Sequence, residues 1–221
     1  MRKMLRDNGL SIVLFAIFTI TLIGQAFAGW RFENTTLAEH GAKTIGLAHY
    51  LVSGAFLSAL FENWESEFLQ MSAFVMLTAY LYQRGSPESK DPDKPAPQDR
   101  DPALDANDKD APWPVRAGGL VRVVYSHSLG LALFALFIAS FVLHWVNSFR
   151  AEVEEAQLHG QAAPTLLEHL TSASFWFESF QNWQSEFLST ALLIVLAIFL
   201  RERGSPESKR VGAPNAQTAT D

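Results

Sequence analysis

The 221-residue sequence predicts an all-α membrane protein: four transmembrane helices arranged as two parallel-related helical hairpins, with short outer interfacial helices. Three observations predict it. Apolar residues collect in four blocks, 10–30, 51–82, 127–146 and 183–200, with the charges between them, which suits lipid-crossing segments and loops rather than one soluble core. The stretch Phe61-Glu62-Asn63-Trp64-Glu65-Ser66-Glu67-Phe68-Leu69 returns 119 residues later as Phe180-Gln181-Asn182-Trp183-Gln184-Ser185-Glu186-Phe187-Leu188. Each copy ends on Arg-Gly-Ser-Pro-Glu-Ser-Lys, at 84–90 and 203–209, and sixteen of the thirty positions from Phe61 to Lys90 match without a gap. The third observation is charge: with both termini inside, 14 of the 17 Lys and Arg residues fall on one side, and only Arg31, Lys43 and Arg150 on the other. That asymmetry is the positive-inside pattern of a multi-pass protein with cytoplasmic N- and C-termini.

The basic start Met1-Arg-Lys-Met-Leu-Arg6, the apolar run from Leu10 and Ala26-Phe27-Ala28 imitate a secretory signal peptide. The repeat argues for a retained helix instead. At the same offset Leu10, Leu14, Phe15, Ala16 and Phe18 fall on Leu129, Leu133, Phe134, Ala135 and Phe137, in a mid-chain segment with no cleavage signal. Leu10 to Trp30 would span about 30 Å, the thickness of a bilayer core. Residues 31–50 form a polar connection, and Arg31, Glu33, His40 and Gly41 recur as Arg150, Glu152, His159 and Gly160.

A long helix is expected from near Ser53, a plausible N-cap, to Arg84, with Gly85 as a left-handed stop and Pro87 preventing resumption. Residues 85–116 then hold seven of the ten prolines and eight acidic residues, with Leu104 and Trp113 as the large apolar exceptions. Such a composition buries too little to offset its ordering entropy, so it is expected to be a disordered linker. In the second half a spanning helix is expected over about 124–148, a short helix at Thr165 after Pro164, and a last long helix from about Ser174 to Arg203. The expected organisation is a first two-helix repeat over 1–90, a Pro/Asp-rich cytoplasmic linker over 91–116, a second repeat over 117–209 and a disordered tail over 210–221. Trp30, Trp64, Trp145, Trp176 and Trp183 all fall near one interface in this topology, as an aromatic belt.

The sharpest functional candidates are Glu67 and Glu186. Glu67 lies 15 residues before Tyr82 and Glu186 lies 14 before Leu200. Each therefore sits roughly 7–9 Å below the outer edge of a core about 30 Å thick. A carboxylate there is costly unless it is paired, faces a wet cavity or snorkels. Asn63 and Asn182 lie one turn away on the same face, and Ser66 and Ser185 are small enough for close helix contact. If the copies bring Glu67 and Glu186 together, two carboxylates cannot both stay charged cheaply. One then holds a proton, or a cation binds between them. An interfacial position beside the tryptophan belt accounts for the same residues without a ligand.

Other groups are weaker. Glu39, His40 and His49 in one half, and His159, Glu168 and His169 in the other, offer imidazole and carboxylate on the outer side, but their spacing fits no zinc pattern. His127 and His144 lie near the two ends of the third span. The twin Arg-Gly-Ser-Pro-Glu-Ser-Lys tails could attract phosphate headgroups, though helix termination explains them as well. Asn34-Thr35-Thr36 matches a glycosylation acceptor. Cysteine is absent, which excludes disulfides and thiolate metal sites. With no metal motif, nucleotide loop, nucleophile motif or cofactor signature, no metal, cofactor or enzymatic reaction is expected.

The doubled Asn-Trp-x-Ser-Glu-Phe, the doubled Arg-Gly-Ser-Pro-Glu-Ser-Lys, and Pro112-Trp113-Pro114-Val115-Arg116 with its following glycines resemble an uncharacterised bacterial integral-membrane family catalogued only as a domain of unknown function. The resemblance covers nearly the whole chain and implies a bacterial inner (plasma) membrane protein, with no activity to transfer. The expected partners are the lipid bilayer, further copies of the chain, since four spans make a thin bundle, and a protein recruited by the 91–116 linker. Nucleic acid is not expected, because the linker is acidic. Two functions remain: a small proton- or cation-linked transporter or channel-like protein using Glu67 and Glu186, and a non-transporting assembly or stress factor using its linker.

Overall fold

The structure, a computed structural model, describes residues 2–219. Among the described residues the regular structure is helical throughout, with no strand. The long elements are α1 (Arg2–Glu39), α3 (Gly54–Leu77), α6 (Ser128–Leu158) and α8 (Ala173–Phe199). Four short helices join them: α2 (Leu47–Tyr50), α4 (Trp113–Ala117), α5 (Gly119–Ser126) and α7 (Leu166–Leu170).

Burial runs opposite to that of a water-soluble protein. Leu10 and Phe15 on α1 are 76% and 70% exposed, while Glu65 and His144 are 0% exposed. Ser72, Ser140, Asn147 and Ser179 are also buried. Apolar surface outward with small and polar residues inward is how helices pack when lipid is the solvent. Three stretches are long and apolar enough to cross a membrane: Lys3–Glu39, Ser128–Leu158 and Leu166–Phe199. α3 is not among them, because Glu62, Glu65 and Glu67 fall within its 24 residues. Threonines on α1 bond back to their own helix: Thr19 donates to Phe15 O at 2.8 Å and Thr21 to Ile17 O at 2.9 Å, so neither of these hydroxyls requires a partner outside the helix.

Helix ends follow local chemistry. Ser53 Oγ accepts the Phe56 N–H at 3.3 Å, and Ser172 Oγ, 119 positions on, accepts that of Phe175 at 3.2 Å. Replacing either serine by alanine is expected to cost about 1 kcal/mol, read as a lower unfolding midpoint in detergent. Thr165 caps α7 in a reciprocal box with Glu168. α1 and α6 run past their apolar segments to Glu39 and Leu158, where hydropathy no longer marks them. Both stop on left-handed glycines, Gly41 (φ +69) and Gly160 (φ +63), with Ala42 N bonded to Leu37 O and Gln161 N to Ala156 O, each at 2.8 Å. α3 ends at Leu77, before the expected Arg84. Thr78 Oγ1 bonds Phe74 O and Val75 O in its last turn, and Ala79 O is taken by Lys90 Nζ.

The chain groups into two compact units, one of Met1–Phe61 with Val142–Phe175, the other of Glu62–Phe141 with Trp176–Asp221. In the first, Trp30 Nε1 and Asn34 Nδ2 both donate to Ile45 O, at 2.7 and 3.0 Å, pinning the return after α1. The N-terminus of α3 lies against α6 at Gly54. In the second, Trp176, Phe180 and Trp183 of α8 form an aromatic cluster with Phe137 and Phe141 of α6, at centroid distances of 5.3–6.2 Å.

The linker, which composition leads one to expect without fixed structure, lies in turns and two 3-10 helices, Pro97–Asp99 and Pro102–Asp105. Asp91, Asp101 and Asp108 each accept the N–H two residues on, at 2.8–3.0 Å. Such Asx turns order the chain locally without a buried core. Ion pairs join Lys90 to Asp99 at 2.7 Å and Arg100 to Asp105 at 2.8 Å. The described part of the tail, 210–219, bonds to residues of the first Gly-Ser-Pro-Glu-Ser-Lys loop.

Candidate functional site

In the second unit α3 and α8 face each other through polar side chains. Glu67 and Glu186 lie close enough to act on one another electrostatically. Glu67 is exposed and Glu186 half-buried. Two further carboxyls of α3, Glu65 two residues earlier and Glu62 five residues earlier, turn to α8. Glu62 accepts a bond from Asn182 Nδ2, which also reaches Glu178 O at 3.3 Å. Glu65, fully buried, accepts the indole N–H of Trp183 at 2.8 Å. The arrangement is thus three carboxyls on α3 set against an amide, an indole and a carboxyl on α8.

The remaining sequence candidates do less than their spacing suggests. Ser66 and Ser185 turn back onto their own helices, donating to Asn63 O at 2.9 Å and Asn182 O at 2.8 Å. Ser66 is buried and fits close contact, but its hydroxyl is spent locally. Asn63 is exposed, whereas Asn182 binds Glu62. Sequence reasoning passed over Glu62 and Glu65. The signal was present: in the second copy their places are taken by Gln181 and Gln184, so the carboxylates belong to the first copy alone.

A family model described as "Domain of unknown function (DUF6766)" matches residues 1–220. The chain belongs to this family. No curated protein and no solved structure matches it.

The histidine and acid groups of the two connections divide into distinct contacts in the structure of this family member. His40 and His159, equivalent at the 119 offset, meet edge-on with centroids 5.1 Å apart. Each Nδ1 bonds the carbonyl one turn back, Thr36 O at 2.8 Å and Glu155 O at 2.9 Å. A carbonyl only accepts, so both Nδ1 atoms carry hydrogen. His169 is buried and binds Glu152 through Nδ1, while Glu168 is used in the α7 cap. The equivalent of this pair in the first half is Tyr50 with Glu33. Burial, then the Glu33 carboxylate, pushes the Tyr50 phenol up. His144 is fully buried against Phe175 at 5.0 Å, and His127 ends α5. Among the described residues no three or more His, Asp or Glu side chains are grouped to hold a metal ion.

The tryptophans divide. Trp30 and Trp145 donate their indole N–H to backbone carbonyls, Ile45 O in the return after α1 at 2.7 Å and Leu166 O at the start of α7 at 3.1 Å. Trp176 and Trp183 join the aromatic cluster, and Trp183 additionally serves Glu65. Trp64 is half-buried on α3.

Proposed function

We propose that this chain is a four-span protein of the bacterial inner membrane, with cytoplasmic termini, that takes up a proton or small cation at Glu67 and Glu186 and couples it to movement across the bilayer. The observation that carries the reading is the approach of these two carboxyls, each on a helix with an apolar exterior. Like charges in such a place favour uptake of a proton or a cation over full ionisation. α3 is the fourth span in this reading. Its charges are met by Asn182 and Trp183 of α8, which lowers the cost of carrying them into lipid. Glu62 and Glu65 extend the acidic face toward the N-terminal end of α3 and give a second pair of stations for a proton or cation. Four spans leave little room for a pore, so further copies of the chain would complete one.

The test is proton and cation flux in proteoliposomes under an imposed membrane potential, with a pH dye trapped inside. Wild-type protein is expected to change the internal pH faster than empty vesicles do. The Glu67→Gln/Glu186→Gln double variant is expected to fall to the protein-free rate. Equal rates for wild type and double variant would rule out the site.

One observation favours a second reading, recruitment of a protein by the linker. Leu104 and Trp113, its two large apolar side chains, are 70% and 66% exposed. Both stand ready for a partner that the flux experiment would not detect.

A further inference from the structure

The two Arg-Gly-Ser-Pro-Glu-Ser-Lys loops are built alike. In each, the first serine accepts the glutamate N–H two residues on: Ser86 from Glu88 and Ser205 from Glu207, both at 3.2 Å. The second serine accepts a backbone N–H from before the loop, Ser89 from Gln83 at 2.8 Å and Ser208 from Glu202 at 2.9 Å. The loops meet where Lys209 of the second bonds Gly85 O of the first, and the Glu88 and Glu207 carboxyls lie close enough there to act on one another. Two carboxyls held so close favour sharing one proton over full ionisation.

The tail closes over this joint. Lys209, 2% exposed, donates to Gly85 O at 2.6 Å, Asn215 O at 2.9 Å and Gln217 O at 3.1 Å. It thereby fastens the tail to the first loop from the second. Thr218 Oγ1 accepts the Gly85 N–H at 2.9 Å, and Ala219 N donates to Ser86 O at 3.0 Å. Gly85 has φ +83, and a Cβ there would lie 2.7 Å from Asn215 O, so the seated tail demands glycine at this position. Helix termination explains a glycine and a proline in each loop. It does not explain paired carboxyls, or a lysine held among the carbonyls of two segments.

We infer that residues 210–219 form a latch set by pH: while a proton bridges Glu88 and Glu207 the twin loops stay joined with the tail seated on Gly85 and Ser86, and loss of that proton parts the loops and frees the tail. The reading is independent of the flux proposed at Glu67 and Glu186.

The surrounding charges permit this. The cavity of about 570 Å³ beside Glu88 is also lined by Lys90, Asp91, Lys94 and Asp99, and Tyr82 lines the groove on its other side. The two lysines are committed to aspartates, Lys90 to Asp99 at 2.7 Å and Lys94 to Asp91 at 3.3 Å. Burial, and then Glu207, pushes Glu88 up to about 7 from the ordinary 4.5. A raised carboxyl means that the closed form binds more protons than the open one between those two values. Closure is therefore favoured below pH 7 and weakens as pH rises through 7, by about tenfold from pH 6 to pH 8.

The experiment is amide hydrogen exchange on the full chain in nanodiscs, following the N–H groups of Gly85 and Ala219 and correcting for the intrinsic pH dependence of exchange. Protection in wild type is expected to drop about tenfold between pH 6 and pH 8. Glu88→Gln supplies a donor amide that needs no proton, so its protection is expected to be the same at both values. Lys209→Ala is expected to expose the tail at both. A wild-type protection that does not change with pH overturns the latch, and so does a Glu88→Gln protein that keeps the wild-type pH dependence.

Discussion

Replacing Gly54 by alanine is expected to lower the unfolding free energy by about 3 kcal/mol, and leucine to prevent assembly of the folded chain. The reason is what a Cβ would meet. It would lie 2.5 Å from Ala151 N, 2.9 Å from Arg150 C and 2.9 Å from Asn147 O. All three are backbone atoms of α6, which cannot rotate aside as a side chain would. The N-terminus of α3 can recede only by opening the contact, and Arg150 would then lose its 3.1 Å bond to Val52 O. Close backbone approach at a glycine is a standard way for membrane helices to gain dispersion contact where lipid removes the hydrophobic drive. Thermal unfolding in detergent, followed by circular dichroism, measures the effect. Gly24 provides the control: a Cβ there meets nothing within 4 Å, so Gly24→Ala is expected to leave the midpoint unchanged or raise it. Equal behaviour of the two alanine variants would show that the Gly54 contact does not hold the first unit together. At the 119 offset Gly54 becomes Ala173, so the glycine of this contact occurs in the first half alone.

Elements whose cause is local were legible in the sequence. The apolar blocks mark the middles of α1, α6 and α8, and Ser53 and Thr165 act at helix starts through hydroxyls that only nearby N–H groups can reach. The ends of α1 and α6 were not legible, because their last turns are polar helix and hydropathy measures partition into lipid rather than helicity. Composition also averaged away the linker's structure. An Asx turn needs one aspartate and the N–H two residues on, and three such turns leave no trace in a mean over 26 residues. Docking of the tail was invisible for another reason, since Thr218 meets Gly85 across 133 residues of sequence. At the candidate site, spacing identified the helix face without fixing the direction of each hydroxyl. Ser66 and Ser185 stand beside the glutamates in sequence and bond their own backbone instead. The offset comparison contained more than its matches: the mismatches Glu62 to Gln181 and Glu65 to Gln184 mark where the copies were given different work.

That difference sets the second large effect. Trp183→Phe is expected to destabilise the protein by about 1–3 kcal/mol, while Glu65→Gln is expected to change it little. Phenylalanine keeps most of the ring contact with Phe137, Trp176 and Phe180, so the loss isolates the indole N–H. Glu65 is 0% exposed and takes that N–H at 2.8 Å through one oxygen. Glutamine retains a carbonyl oxygen at the same reach and so can accept the same bond, and the second copy already carries glutamine at the equivalent place, Gln184. Buried polar groups are costly when a donor is withdrawn and nearly neutral when the acceptor is exchanged for another of the same shape. Unfolding midpoints of the two variants, with the Trp183 indole proton resonance as a local reporter, distinguish the cases. If Glu65→Gln loses as much stability as Trp183→Phe, the charge on α3 matters there and not the hydrogen bond. The acidic face of α3 would then have to be read as one electrostatic unit from Glu62 to Glu67. If instead only the indole variant suffers, Glu65 positions α8 against α3, and the mobile proton or cation belongs to Glu67 and Glu186 alone.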